Sequence, residues 1–203
     1  MALVDLRFKE IEHKYIVDER FDFKGFRQSV KELTPNRSSK VHVKDRYYLT
    51  ERGRLRRFLF RHRYDKELHN LTIKSLETDT EVRAEVNLDL GQHAGNQEAC
   101  VDAFLDQLGI VWSGTLEKDL EAWYFPSCEI VYYEASTESR TVRCVEFEAT
   151  QKTSLQESLA VLEHFEFATG FHNVIRSHRS LPQILFPDLV KILAKDGNGV
   201  TDC

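Results

Sequence analysis

From Glu10 the chain reads Glu-Ile-Glu-His-Lys-Tyr, placing charge on every second residue. Successive side chains of an extended strand point to opposite faces, so Glu10, Glu12 and Lys14 share one face while Ile11 and Tyr15 share the other. Two acids and a base in one row are unlike the polar face of an ordinary half-buried strand; such a row lies in water or lines a polar cavity. The pattern recurs. Arg61 and Arg63 flank His62, and Thr72 and Lys74 alternate with Leu71, Ile73 and Ser75. Arg83, Glu85, Asn87 and Asp89 alternate with Val82, Ala84, Val86 and Leu88, and Glu146 and Glu148 alternate with Val145, Phe147 and Ala149. Each segment is short, rich in strand formers and of period two. Polar faces that mix acids with bases, backed by apolar faces in need of cover, are both accommodated by a closed barrel with a charged bore and helices packed outside.

Periodicity and punctuation predict strands at 6–17, 41–50, 55–64, 69–77, 81–90, 111–124, 128–135 and 141–150. A helix is expected around 25–33 and another at 96–109, with Cys100, Phe104, Leu105 and Leu108 as its apolar stripe. The clearest helix follows Ser154, which has capping-box spacing to Glu157, carries Leu155, Leu159, Leu162 and Phe165 as a stripe, and ends at Gly170. Pro187 opens a short helix through Lys195, and 196–203 reads as a frayed tail. The fold class is therefore α+β with eight strands, in one domain over residues 1–195.

The net charge of -5 argues against a general nucleic-acid binder, because phosphate neutralisation drives most such affinity. The four cysteines, Cys100, Cys128, Cys144 and Cys203, show no paired spacing and read as reduced thiols of a cytoplasmic protein. No apolar run is long enough to cross a bilayer, so no membrane partner is expected. Arg52, Arg54, Arg56 and Arg57 read as surface charges, and by alternation His13 and His62 fall on the outward face.

The opening E-x-E-x-K, a paired-basic strand, a T-x-K strand, an R-x-E strand and a late E-x-E strand, in that order, resemble the CYTH superfamily, the triphosphate tunnel metalloenzymes. The similarity spans about residues 8–180. The family includes class IV adenylyl cyclases, thiamine triphosphatases, inorganic tripolyphosphatases and RNA triphosphatases, and the resemblance implies an eight-stranded antiparallel tunnel. Residue by residue, it implies that Glu10, Glu12, Glu146 and Glu148, with Glu85, hold divalent metal. It implies that Lys14, Arg61, Arg63, Lys74 and Arg83 grip the triphosphate, that Lys118 adds to them, and that Arg176 closes the tunnel end. Lys14 and Glu12 would stand at the reacting centre. Two positions depart from the family pattern: Leu120 stands where an arginine is usual, and Asn87 where an acid is usual. Glu134 is the nearest acid to a position usually held by Asp.

Phosphoryl transfer is largely positioning and neutralisation of charge. Lysine and arginine supply donors to phosphate oxygens, arginine in a two-point grip. Carboxylates facing one cavity repel one another unless a cation sits among them, and an oxygen-only donor set favours Mg²⁺ or Mn²⁺. The expected activity is a metal-dependent triphosphatase acting on tripolyphosphate, ATP or thiamine triphosphate. The alternatives are a class IV-type cyclase making cyclic AMP from ATP, and a triphosphate-binding module without turnover.

Overall fold

The computed structural model describes residues 8–64, 68–76, 82–91, 97–151 and 153–194. Eight strands form a closed antiparallel barrel: β1 (Lys9–Val17), β2 (Arg37–Thr50), β3 (Phe58–Tyr64), β4 (His69–Ser75), β5 (Val82–Asp89), β6 (Ile110–Tyr124), β7 (Cys128–Ser136) and β8 (Thr141–Ala149). Around the barrel they run β1-β5-β4-β3-β2-β6-β7-β8, so no strand has an unpaired edge. The helices are α1 (Phe23–Glu32), α2 (Glu51–Arg56), α3 (Gln97–Asp106), α4 (Leu155–Thr169), α5 (Leu181–Leu185) and α6 (Pro187–Ala194). The expected tail at 196–203 lies outside the described residues.

The period-two alternation has the orientation expected from sequence. On β1 and β8 the apolar partners Ile11, Tyr15, Val145, Phe147 and Ala149 point outward into a core with Phe26 and Val30 of α1, Leu162 and Phe165 of α4, and Phe171. Each fully buried side chain of that size contributes about 1.5–3 kcal/mol, whereas buried ion pairs roughly return what their desolvation costs. The outer apolar layer, not the bore, therefore carries most of the stability. Helix α4 starts and stops as its sequence predicts: the Ser154 hydroxyl accepts from the Glu157 N–H, and Gly170 ends it at φ 83°.

Three features differ from the sequence reading. The strand expected from residue 55 starts at Phe58, because the Thr50 hydroxyl accepts from the Gly53 N–H and starts α2 instead. The apolar stripe of α3 reduces to Leu105, since Phe104 is 60% exposed and Cys100 is also exposed. Helix α3 is instead anchored by Asp102, which accepts from Arg46 Nη1 and the Tyr48 hydroxyl. Finally, α5 and α6 do not lie along the barrel wall but close one end of the bore. Leu181, Leu185, Leu189 and Leu193 pack there against Leu49, Leu59, Leu76, Leu116 and Trp112. Trp112 Nε1 donates to Asp188 Oδ2 at 2.6 Å. Gly114 is required at this seal, because a Cβ would come within 2.8 Å of the Trp112 ring and 2.9 Å of Phe186.

Among the described residues no helix is long and apolar enough to cross a membrane. Cys100, Cys128 and Cys144 are free thiols, and Cys203 lies outside the described residues.

Candidate active site

The bore encloses a cavity of about 470 Å³ lined by Glu10, Glu12, Lys14, Arg61, Arg63, Lys74, Arg83, Glu85, Lys118, Glu146 and Glu148. Eleven of the twelve residues assigned through the resemblance thus share one cavity, brought there from six different strands. Strand register explains the meeting of the end motifs: Glu12 pairs with Glu148 and Lys14 with Glu146 across β1 and β8, and Glu10 pairs with Arg83 across β1 and β5.

Acids and bases alternate in space. Lys14 Nζ stands 3.0 Å from Glu12 Oε1 and 3.0 Å from Glu146 Oε1. Glu12 Oε1 also accepts from Arg83 Nη1 at 2.6 Å, and Arg83 Nη2 reaches the His178 carbonyl at 3.0 Å. Lys74 Nζ bridges Glu10 Oε1 at 3.0 Å and Glu85 Oε2 at 2.6 Å. Arg61 donates to Thr72 Oγ1 at 3.2 Å. Asn87, at the position expected to be acidic, donates to Glu85 Oε1 at 3.0 Å and accepts from Thr72.

The carboxylates respond differently to this setting. Burial opposes ionisation of Glu12, but Lys14 and Arg83 outweigh it and hold the group down to about 2. Burial likewise opposes ionisation of Glu85, and Lys74 with Arg61 overcomes it. Glu10 goes the other way, pushed up to about 8 by burial and by the neighbouring Glu12. Its Oε2 is buried without a hydrogen-bond partner. Burial also opposes the charged form of Lys14, yet Glu12 and Glu146 raise the ammonium above its ordinary range. Lys118 is the exception among the lysines, lowered by burial despite Asp45.

Sequence reasoning missed several members of the site. Asp45, on β2, is wholly shielded from solvent and lies 3.0 Å from Lys118 Nζ. Arg37 and Glu129 also line the cavity, and burial followed by Glu146 raises the Glu129 carboxyl. Tyr133 donates to Glu146 Oε1 at 2.7 Å. The sign available was the odd-numbered row Val41, Val43, Asp45, Tyr47, which reads as an apolar face with one interruption. Counting Asp45, seven acids (Glu10, Glu12, Asp45, Glu85, Glu129, Glu146, Glu148) face seven bases (Lys14, Arg37, Arg61, Arg63, Lys74, Arg83, Lys118) in and around the cavity.

Arg176 requires a correction. It does not line the cavity; its Nε donates to the Tyr15 hydroxyl at 3.2 Å and its Nη2 to Glu166 Oε2 at 3.0 Å, on the outer side of β1. The tunnel end is closed by α5 and α6. Glu134 also lies outside the bore, where it pairs with Arg143 at 2.6 Å. His13 and His62 face outward as expected, against Glu166 and Asp102.

No family model matches the sequence, and no curated protein sequence matches it. Solved structures do. The chain superposes on the PH1012 protein of Pyrococcus horikoshii with a TM-score of 0.68 at 14% identity, over 87% of this chain and 99% of that one. A Bacillus halodurans protein provisionally assigned as an adenylate cyclase matches with a TM-score of 0.56 at 16% identity, over 88% and 99%. These proteins share the closed-barrel fold of this chain. The tunnel fold is also similar to a chain of the Mediator head module of Schizosaccharomyces pombe, with a TM-score of 0.59 at 11% identity over 83% and 98%. Similarity at this level concerns the fold alone, so an activity has to be argued from the residues inside the tunnel.

Among the described residues, no group of three or more His, Cys, Asp or Glu side chains is arranged to hold a metal ion. Lysine and arginine heads stand between the tunnel carboxylates, each acting as the counter-charge that a cation would otherwise supply.

Proposed function

We propose that this protein is a metal-dependent triphosphatase that hydrolyses a phosphoanhydride of an inorganic or organic triphosphate inside the tunnel. The observation that carries the reading is the interleaving of acids and bases, seven of each in and around one cavity closed at one end. A polyanion alone would leave such a site strongly negative, so it must enter together with cations. The residues fit that demand: Glu10 has an unpartnered buried oxygen, and burial together with the neighbouring Glu12 favours its protonated form. The donors are all oxygens, which suits Mg²⁺ or Mn²⁺. Glu10, Glu12, Glu85, Glu146 and Glu148 would hold the ion, which supplies charge neutralisation at the phosphates and acidifies bound water.

The chain's own part is an exchange of partners. Lys14, Arg83, Lys74 and Arg61, now committed to carboxylates, would be free to donate to phosphate oxygens once bound cations neutralised those acids. Lys14, between Glu12 and Glu146, sits where it can neutralise charge developing on the transferred phosphoryl group. The sealed end beside Ser180 and Leu181 restricts entry to the opposite mouth and limits water at the reacting phosphorus.

The test is phosphate release from tripolyphosphate with Mg²⁺ or Mn²⁺, abolished by chelation and reduced at least about a hundredfold in Lys14→Ala. Cyclic AMP from ATP without phosphate release would replace hydrolysis by cyclisation. Tight binding without any product would leave a binding module.

A further inference from the structure

Outside the tunnel, His62 of β3 and His69 of β4 are diagonal neighbours on the outer face, both 1% exposed. Their Nε2 atoms lie 3.2 Å apart. The other nitrogen of each ring meets an acceptor. His69 Nδ1 lies 3.0 Å from the Gly91 carbonyl, so it carries a proton. His62 Nδ1 lies 3.2 Å from Asp102 Oδ1, and the same carboxylate takes Arg46 Nη1 at 2.5 Å and the Tyr48 hydroxyl. Burial and then Asp102 raise Tyr48 above its ordinary range, so Tyr48 stays a donor and Asp102 accepts from all three.

A neutral imidazole has a single N–H. Two neutral rings that satisfy Gly91 and Asp102 therefore turn bare lone pairs on each other at hydrogen-bond distance. If His62 moves its proton to Nε2 to reach His69, a bare Nδ1 faces the Asp102 carboxylate instead. One added proton satisfies all three contacts. We propose that the His62–His69 pair is a proton-operated latch on α3. It takes up a single proton, which turns the His62–Asp102 contact into an ion pair between β3 and α3; without that proton Asp102 is left with Arg46 and Tyr48. Burial holds His62 below the ordinary histidine value of 6.5 and Asp102 acts against burial, so uptake falls on the acid side of 6.5. Arg46 and His69 oppose the charge, Tyr64 stands edge-on to His69 at 4.8 Å, and Asp106 of α3 acts on Tyr48. Because Asp102 raises the proton affinity of His62, the coupling of the two residues is strongest where His62 is protonated and fades as pH rises through its folded value.

Nitrogen-15 NMR of the imidazoles in the full chain, with chelator present and from about pH 5 to about pH 8, counts the protons without any variant. One proton is expected to enter the pair, with both Nδ1 atoms protonated on the acid side. In a urea-unfolding double-mutant cycle of His62→Gln with Asp102→Asn, the coupling, read as a ratio of unfolding constants, is expected to be about tenfold or more larger near pH 5 than near pH 8. His69→Gln sets a permanent N–H opposite His62 Nε2, so His62 no longer needs the extra proton and its titration step is expected to leave this range. Two protons entering the pair independently, no titration of either ring, a coupling equal at both pH values, or a step unmoved in His69→Gln overturns the proposal.

Discussion

Arg63 lays one edge of its guanidinium against Asp45, Nε donating to Oδ1 at 2.7 Å and Nη2 to Oδ2 at 2.8 Å. Cross-strand pairing of these two residues on β2 and β3 sets the geometry. The same carboxylate takes Lys118 at 3.0 Å and the Tyr47 hydroxyl at 3.3 Å, and burial is outweighed by Arg63 and Lys118 so that it stays ionised. One acid therefore holds two of the expected phosphate-gripping cations in place.

Removing that acid leaves two largely buried cations without their partner. Asp45→Ala is expected to destabilise the fold by about 3 kcal/mol, and Asp45→Asn by less because the hydrogen-bonding shape is retained. Urea unfolding of both variants checks the order; equal stability to the parent chain would mean that Asp45 is not needed to hold the pair.

Glu10 makes stability fall with rising pH. Its ordinary value of 4.5 is pushed up to about 8 in the fold, so over that window the native chain retains a proton that the unfolded chain has released. The contribution is full below pH 4.5 and is lost as pH rises towards 8, with a slope of at most about 1.4 kcal/mol per pH unit. Unfolding free energies at several pH values with chelator present should show a shallower decline in Glu10→Gln. Identical slopes would contradict the assignment.

Divalent metal should compete with that proton. Mn²⁺ titrated near pH 7 is expected to displace it, seen as a dependence of the measured heat on the ionisation enthalpy of the buffer. Glu12→Gln should lower Mn²⁺ affinity at least about tenfold. Unchanged affinity would take Glu12 out of the metal set.

Arg176 should matter for the fold and not for the ligand. It faces Glu166, whose side chain is only 2% exposed, and Tyr15, both on the outer side of β1. Arg176→Ala is expected to cost about 1–3 kcal/mol of stability while leaving tripolyphosphate affinity within about twofold. A large loss of affinity in a stably folded variant would return Arg176 to the tunnel.

Alternation of charge with apolar residues determined by itself that the strands were amphipathic in the unusual sense, with Glu10, Glu12, Lys14, Arg61, Arg63, Lys74, Arg83, Glu85, Glu146 and Glu148 on one face. Parity along a strand is a local property, written in every second residue, and it survives without knowledge of neighbours. Capping at Ser154 and Gly170 is local in the same way. Tertiary structure decided what parity cannot carry: which strands adjoin and what lies across the bore. Asp45 acquires its role only because β2 runs between β3 and β6, bringing Arg63 and Lys118 to it from opposite sides. Leu120 reads as a missing arginine along the chain, and only barrel closure places it beside Val41 and across the bore from Arg83 and Glu85 of β5. Arg176 sits in the irregular 171–180 stretch, where no period exists to fix a direction. Its side chain is directed outward, to the Tyr15 hydroxyl and the Glu166 carboxylate, which only the packing of α4 on β1 brings within reach.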